Sequence, residues 1–135
     1  MQESLQVTNF WTKKVGDPFN VERSLRVGDR IDGHFVTGHI DTVGEVILLE
    51  KRDDTSLLYW ISYDPRYDTL VIEKGSITIN GVSLTVITAR EGYLSVSLIP
   101  LTQDWTNLGI SKVWDLVNLE FDMIGKYVNK LTLHH

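Results

Sequence analysis

The sequence contains no cysteine. This absence excludes disulfide bonds, thiolate catalysis and a metal site with cysteine ligands. No hydrophobic run approaches the roughly 18 apolar residues that a transmembrane helix needs, so a membrane partner is not expected. The N-terminus has no basic segment followed by an apolar one, and we therefore expect a cytoplasmic protein. With 42% hydrophobic and 23% charged residues, the composition is typical of a globular domain rather than of a disordered chain.

Positive charge is also scarce. The 13 lysine and arginine residues are outnumbered by 18 aspartate and glutamate residues, and no basic cluster is longer than the pair Lys13-Lys14. Because phosphate backbones are bound by concentrated positive charge, a nucleic-acid partner is disfavoured. An oligonucleotide-binding barrel is thus the weakest of the functions considered.

An internal repeat organises the chain. Residues 3–22 align without a gap onto residues 101–120, at an offset of 98 positions, and seven of the twenty pairs are identical. We therefore predict that residues 1–22 are the end of one module and that residues 23–131 are a complete second copy. Residues 132–135 are expected to be a tail, and its histidines are treated as a tag remnant. The alternative is a coincidence between two turn-plus-strand segments.

The second copy has the pattern of a β protein. Short apolar or alternating segments predict strands within 34–51, 56–63, 76–79, 82–87, 93–98 and 117–121. Asn80-Gly81 supplies the two positive-φ residues of a type I′ turn, which predicts a tight hairpin. Residues 100–109 fit one or two helical turns, and residues 122–131 a short helix. About six short strands indicate a small closed barrel, because closure removes exposed strand edges; a two-sheet sandwich is the alternative.

Two histidines lie in the segment that we predict to open the first strand. His34 and His39 are five residues apart, and an odd spacing on a strand places side chains on opposite faces. They are therefore not expected to share a metal ion, and only one of them can face a given pocket. Such a histidine could act as an acid or a base; the alternative is a hydrogen-bonded histidine at the rim of the barrel.

A polar face is predicted on the strand that follows the hairpin. Ser83 and Thr85 share this face, whereas Val82, Leu84 and Val86 point to the interior. The two hydroxyls could line a groove, or they could be ordinary surface residues of a strand.

These segments together resemble the second lumazine-binding repeat of the riboflavin synthase family. The similarity covers nearly all of residues 20–130. It is carried by Gly33-His34, Gly38-His39-Ile40-Asp41, Lys74-Gly75-Ser76-Ile77, Asn80-Gly81-Val82-Ser83-Leu84-Thr85-Val86, Ile99-Pro100, Thr102, Thr106-Asn107-Leu108-Gly109, Val117-Asn118-Leu119-Glu120-Phe121-Asp122 and Gly125-Lys126-Tyr127-Val128.

The resemblance implies an all-β fold, a six-stranded Greek-key closed barrel with one or two short helices. It also implies that each barrel binds one 6,7-dimethyl-8-ribityllumazine. In the family, one lumazine donates a four-carbon unit to another, which gives riboflavin and a pyrimidinedione without a cofactor or a metal. The resemblance further implies a site shared by the first barrel of one subunit and the second barrel of a neighbour, and hence a homo-oligomer or pairing with a first-repeat barrel.

The family's site residues can be placed on this sequence one by one. His39 matches a histidine near the reacting rings, with a proton-transfer or orienting role, and Ser83 matches a residue that assists proton transfer or holds a water. The ligand-contacting positions that the resemblance implies are Lys74, Asn80, Leu84, Thr85, Leu98, Ile99, Pro100, Leu101, Thr102 and Gln103.

The sequence departs from the family in three respects. Most of a first barrel is absent, Trp11 and Trp114 stand where the family usually has glycine, and the C-terminal helix stops after Leu131. A non-catalytic lumazine or flavin carrier, of the kind found among light-emitting antenna proteins, is therefore the alternative function.

Overall fold

Six antiparallel strands form a closed barrel in the computed structural model, which describes residues 2–133. The strands are β1 (Thr42–Lys51), β2 (Leu57–Ser62), β3 (Ser76–Ile79), β4 (Val82–Arg90), β5 (Tyr93–Leu98) and β6 (Leu116–Phe121). Their order around the barrel is β1-β2-β5-β4-β3-β6. Strands β3, β4 and β5 follow one another through hairpins, and β6 returns beside β3, which is a Greek key. The predicted barrel is confirmed, and the sandwich alternative is wrong.

Helices occupy the connections and the ends. They are α1 (Gln2–Val7), α2 (Pro100–Trp105) and α3 (Met123–Thr132), together with the 3₁₀ turns Phe10–Thr12, Pro65–Leu70 and Asn107–Ile110. A salt bridge of 2.8 Å between Lys126 and Asp41 holds α3 against the barrel. Among residues 2–133 we find no helix with the length and apolar character that crossing a membrane requires.

The local predictions hold best where a turn residue determines the backbone. Asn80 and Gly81 have φ values of 48° and 80°, as the type I′ hairpin between β3 and β4 requires. The strand predicted over residues 34–41 is wrong, however, because β1 begins only at Thr42. The argument that His34 and His39 point to opposite faces of a strand therefore does not apply.

The core fills the barrel with side chains that alternate along each strand. Tyr59 and Ile61 on β2, and Leu94, Val96 and Leu98 on β5, are at most 1% exposed. On β4, Val86 is buried, and Val82 and Leu84 pack against the same core, whereas Thr85 is exposed. The face of β4 that carries Ser83 and Thr85 is thus the outer one, as the sequence predicted.

The sequence repeat has a counterpart in local structure. Helix α1, shifted by 98 positions, coincides with α2. In the first copy the backbone N–H of Lys14 donates to Asp17 at 2.8 Å, and in the second the N–H of Lys112 donates to Asp115 at 2.8 Å. The left-handed residue Gly16 has its counterpart in Trp114, which also has a positive φ.

Four asparagines connect the two copies reciprocally. The backbone N–H of Asn9 donates to Asn118 Oδ1 at 2.7 Å, and Asn118 Nδ2 donates to Asn9 Oδ1 at 2.9 Å. At the same offset, the N–H of Asn107 donates to Asn20 Oδ1 at 2.7 Å, and Asn20 Nδ2 donates to Asn107 Oδ1 at 2.9 Å. Residues 9–20 are therefore held on one rim of the barrel by an approximate local two-fold relationship.

Candidate ligand-binding site

The ladder between β4 and β5 stops before the two strands end, and we call the gap between their unpaired edges the β4–β5 opening. The β4–β5 ladder runs from Arg90/Tyr93 to Val86/Val96 and has a bulge next to Val86. Strand β4 nevertheless continues back to Val82, paired with β3, and β5 continues to Leu98, paired with β2. The edges of the two strands that face each other beyond Val86 have no ladder. Within residues 2–133, the backbone groups of Ser83 and Thr85 that point to this side have no partner in the β4–β5 ladder, so they suit a planar ligand with an amide-like edge.

Polar side chains lie beside this opening on β4. Thr85 is exposed and Ser83 is half-buried, both on the outer face of the strand. Lys74 lies on the other edge of β4, next to β3, because its backbone N–H donates to Val86 O at 2.8 Å, and its side chain is exposed. The two hydroxyls thus lie along the part of β4 that extends beyond its ladder with β5, and the cation lies on the β3 side of the same strand.

The segment after β5 borders the opening from the other side. Leu98 is fully buried, but Ile99, Pro100 and Leu101 are exposed where the chain enters α2. Gln103 secures this turn, since its Nε2 donates to Leu98 O at 2.8 Å and to Thr55 O at 3.1 Å. Thr102 is half-buried. The turn therefore has a fixed backbone and an apolar surface suited to one face of a flat ring.

The hydroxyl of Ser83 is hydrogen-bonded to a histidine. His34 Nδ1 lies 2.7 Å from Ser83 Oγ, and His34 Nε2 lies 3.1 Å from Thr78 Oγ1. A half-buried imidazole is thus placed between two hydroxyls, a common arrangement for proton transfer or for orienting a hydroxyl. Sequence reasoning treated His34 only as one of two rim histidines. His34 and Ser83 are 49 positions apart in the chain, and no sequence signal could have located this contact.

His39 does not lie beside Ser83 at the β4–β5 opening. Its ring is exposed, and Nδ1 is 3.3 Å from the carbonyl oxygen of Thr37. His39 and Asn80 line a cavity of about 440 Å³ between the barrel rim and the N-terminal segment, to which Phe10, Lys13 and Phe19 also contribute. Within residues 2–133 no hydrogen bond joins His39 to Ser83.

The structure therefore divides the predicted site residues into two groups. One group lies on the parts of β4 and β5 that border the β4–β5 opening and consists of Ser83, Leu84, Thr85 and residues 98–103, with Lys74 on the β3 side of β4. The other group consists of His39 and Asn80 at the cavity next to the N-terminal segment. In the described part of the chain, no cluster of three histidine, aspartate or glutamate side chains is arranged to hold a metal ion.

Two tyrosines in the barrel, away from the opening, have raised pKa values. Burial, together with the hydrogen bond that Tyr63 donates to Asp68 at 2.8 Å, raises the pKa of Tyr63 strongly. Burial also raises the pKa of Tyr59. Both phenols remain protonated near neutral pH, so they contribute to stability and not to acid–base chemistry at the opening.

The chain is similar to one known protein family and to proteins of known function. The lumazine binding domain family matches residues 37–122. Riboflavin synthase of Actinobacillus pleuropneumoniae is 41% identical over 133 residues, which are 98% of this chain and 61% of that protein. Riboflavin synthase of Schizosaccharomyces pombe is 39% identical over 135 residues, which are 98% of this chain and 64% of that protein. This chain thus spans about three fifths of the length of these relatives.

Two solved structures have the same fold. LumP complexed with riboflavin superposes with a TM-score of 0.80 at 24% sequence identity, over 88% of this chain and 64% of that chain. LumP complexed with 6,7-dimethyl-8-(1'-D-ribityl) lumazine superposes with a TM-score of 0.78 at 23% identity, over 89% of this chain and 64% of that chain.

Proposed function

This chain belongs to the lumazine-binding domain family, and from that premise we propose that it binds 6,7-dimethyl-8-ribityllumazine and riboflavin as the C-terminal module of a riboflavin synthase. The observation that carries the proposal is the opening between β4 and β5. It is bordered by Ser83 and Thr85 on one side and by residues 98–103 on the other. Relatives named riboflavin synthase align over nearly the whole chain and support the same function.

The ligand ring is proposed to lie along the unpaired edge of β4. Its pyrimidine edge would pair with the backbone of Ser83 and Thr85, whose N–H and C=O groups point away from β3, and Leu84 would lie between them. Ile99, Pro100 and Leu101 would cover one face of the ring. Thr102 and Gln103 would border the ribityl chain, and Lys74 would contact its hydroxyls. An apolar wall with a few directed polar groups is the usual composition of a small-molecule site.

In the proposed reaction two lumazines exchange a four-carbon unit and give riboflavin and a pyrimidinedione, without a metal or a cofactor. The main contribution of the protein is to hold the two rings together in a reactive orientation. Proton removal from an acidic ring methyl needs only a modest base. Ser83 would assist that transfer or hold a water molecule. His39 and Asn80 would act at the neighbouring cavity, on the second lumazine ring, which the partner barrel would bind.

The partner that completes this site is proposed to be a first-repeat barrel. Leu119 of β6 is fully buried between neighbouring strands, whereas its counterpart in the repeat, Val21, is 92% exposed. Val117 is 1% exposed and its counterpart Phe19 is 51% exposed. Residues 18–22 would thus form the sixth strand of another barrel, and the complete assembly would be a homo-oligomer that works in the cytoplasm.

The test is a titration with ribityllumazine followed by fluorescence, with riboflavin formation measured by chromatography. We expect the chain to bind the compound, and Thr85→Ala and Ser83→Ala to weaken binding. Thr88→Ala, on the paired part of β4, is the matched control and should bind like the unmodified chain. No binding by the unmodified chain would contradict the proposal.

Turnover separates the enzyme from a carrier. We expect riboflavin to form when the chain is mixed with a first-repeat barrel of a related riboflavin synthase, and His39→Ala to slow this formation without unfolding the chain. Tight binding with no riboflavin under these conditions would instead assign the chain to the non-catalytic lumazine and flavin carriers.

A further inference from the structure

The His34 ring is fixed by two hydroxyls on adjacent strands. Nδ1 is 2.7 Å from Ser83 Oγ on β4, and Nε2 is 3.1 Å from Thr78 Oγ1 on β3. Ser83 and Thr78 are themselves paired in the β3–β4 ladder. The ring therefore bridges one cross-strand pair, and both of its nitrogens are engaged.

The contact with Nδ1 also limits the Ser83 hydroxyl, because the tautomer of the ring decides where the serine proton points. A serine hydroxyl has one proton and two acceptor lone pairs. If Nδ1–H donates to Ser83 Oγ, the serine proton is free to point into the β4–β5 opening. If Nδ1 accepts, the serine proton points to the ring, and a lone pair of Oγ faces the opening. Thr78 is 1% exposed, so water does not compete for its hydroxyl, and Nε2 keeps Thr78 as its partner in either tautomer.

The segment that carries His34 is held by a separate anchor on β6. Glu120 is 3% exposed, and its carboxylate accepts hydrogen bonds from the Thr37 N–H at 2.7 Å, the Thr37 hydroxyl at 2.8 Å and the Gly38 N–H at 3.1 Å. Bonds between a carboxylate and N–H groups are among the stronger hydrogen bonds in proteins. His34 is only three residues from this anchor, so its position does not depend on the ring contacts alone.

We propose that His34 is a positioning residue for Ser83, which sets the direction in which the Ser83 hydroxyl meets the ligand. The inference rests on the proposed lumazine site and adds a residue to it. It assigns to His34, through Ser83, a role different from the one proposed for His39 at the neighbouring cavity. His34 does not touch the ligand, and its effect is transmitted entirely through the serine.

Two substitutions separate the two ring contacts. An asparagine amide can occupy the place of Nδ1, whereas a glutamine amide reaches the place of Nε2. His34→Asn therefore keeps a partner for Ser83, and His34→Gln keeps only the partner of Thr78. We expect His34→Gln to weaken ribityllumazine binding by roughly 3-fold to 10-fold, the effect of one hydrogen bond, and His34→Asn to restore most of the loss. Equal weakening by both variants would overturn the proposal.

A double-mutant cycle tests whether His34 acts through Ser83. Because the serine transmits the effect, Ser83→Ala combined with His34→Gln should bind ribityllumazine no more weakly than Ser83→Ala alone. A structural role for His34 would instead give additive losses. Unfolding midpoints of all variants, measured in urea, identify any that lose affinity because they unfold.

A measurement on the ligand-free chain distinguishes failure of this inference from failure of the proposed function. The ring ¹⁵N resonances of His34 should indicate a single tautomer, and Ser83→Ala should shift Nδ1. The exposed ring of His39 serves as the control in the same spectra and should not change. A His34 ring that averages between tautomers and ignores Ser83→Ala overturns the inference, even if lumazine binds. If the expected shifts occur but no lumazine binds, the proposed function fails, and the ligand part of this inference fails with it.

Discussion

Gly33 lies directly against Ser83: a β-carbon built on Gly33 would be 2.5 Å from Ser83 Oγ. Gly33 also has a φ of +96°, a conformation that side chains other than glycine rarely adopt. The backbone that leads into His34 can therefore approach the serine only because residue 33 has no side chain.

Gly33→Ala should displace Ser83 and weaken ribityllumazine binding. The matched control is Gly28→Ala, because Gly28 has a φ of +93° and no atom within 4 Å of its built β-carbon. Both variants should lose about 1 kcal/mol or more of stability through backbone strain. Only Gly33→Ala should also lose affinity, as measured by fluorescence titration. Equal affinities in the two variants would contradict the prediction.

The buried pair Asn9 and Asn118 should contribute more to stability than its half-buried counterpart, Asn20 and Asn107. Asn118→Ala removes the acceptor of the Asn9 N–H and leaves a buried donor without a partner, which should cost about 2–3 kcal/mol. Asn20→Ala removes the equivalent bond to Asn107. Those residues are half-buried, so water can replace the lost group, and the cost should be below about 1 kcal/mol. Urea unfolding measures both free energies, and equal costs would argue against the role of burial.

Trp114 is in a conformation that favours glycine. Its φ is +78°, its counterpart in the repeat is Gly16, and its side chain is 71% exposed. Trp114→Gly should therefore raise the free energy of unfolding by roughly 0.5–1 kcal/mol, since relief of strain exceeds the added flexibility of the unfolded chain. Trp105→Gly is the control, because this tryptophan is 81% exposed at the end of α2. It should lower stability, and a loss in both variants would refute the strain argument.

Tyr63 should make the protein sensitive to alkali. Its pKa is raised in the folded state by burial and by the bond to Asp68, so the folded phenol keeps its proton where the unfolded one loses it, above a pH of about 10. The contribution of Tyr63 is complete below that pH and declines as the pH rises further.

Tyr63→Phe removes this titration. Between pH 10 and 11 the unfolding free energy of the unmodified chain should fall by about 1 kcal/mol more than that of the variant. The variant should be less stable by about 1 kcal/mol near pH 8, because it lacks the bond to Asp68. Tyr59 also has a raised pKa, so some alkaline loss should persist in the variant. If the unfolding free energies of the two proteins fall in parallel as the pH rises, Tyr63 does not cause the alkaline loss of stability.

Much of the barrel could be predicted because its causes are local. The alternation along β4 placed Val86 inside and Thr85 outside, since successive side chains of a strand point to opposite faces. The φ values of Asn80 and Gly81 follow from residue types that tolerate them. The helix at residues 100–105 begins at Pro100, as expected from the preference of proline for a first helical turn. The repeat at an offset of 98 is visible in the sequence alone.

The error over residues 34–41 has a tertiary cause. These residues are as compatible with a strand as those of β1, but a strand needs a neighbour with free ladder groups. Strand β6 pairs with β1 up to Leu119, and the next donor on that edge, the N–H of Phe121, donates to the Asp41 side chain at 2.8 Å instead of to a strand. The Glu120 carboxylate accepts hydrogen bonds from the N–H groups of Thr37 and Gly38, so residues 34–41 are held on the barrel without forming a strand.

The sequence by itself thus determined the strands, the hairpin and the outer polar face of β4, because these follow from periodicity and from backbone preferences of single residues. Only the tertiary structure decided that the β4–β5 ladder stops at Val86 and that His34 reaches Ser83. Both depend on where closure of the barrel places residues far apart in the chain. Closure is set by packing of the whole core, and no local pattern specifies it.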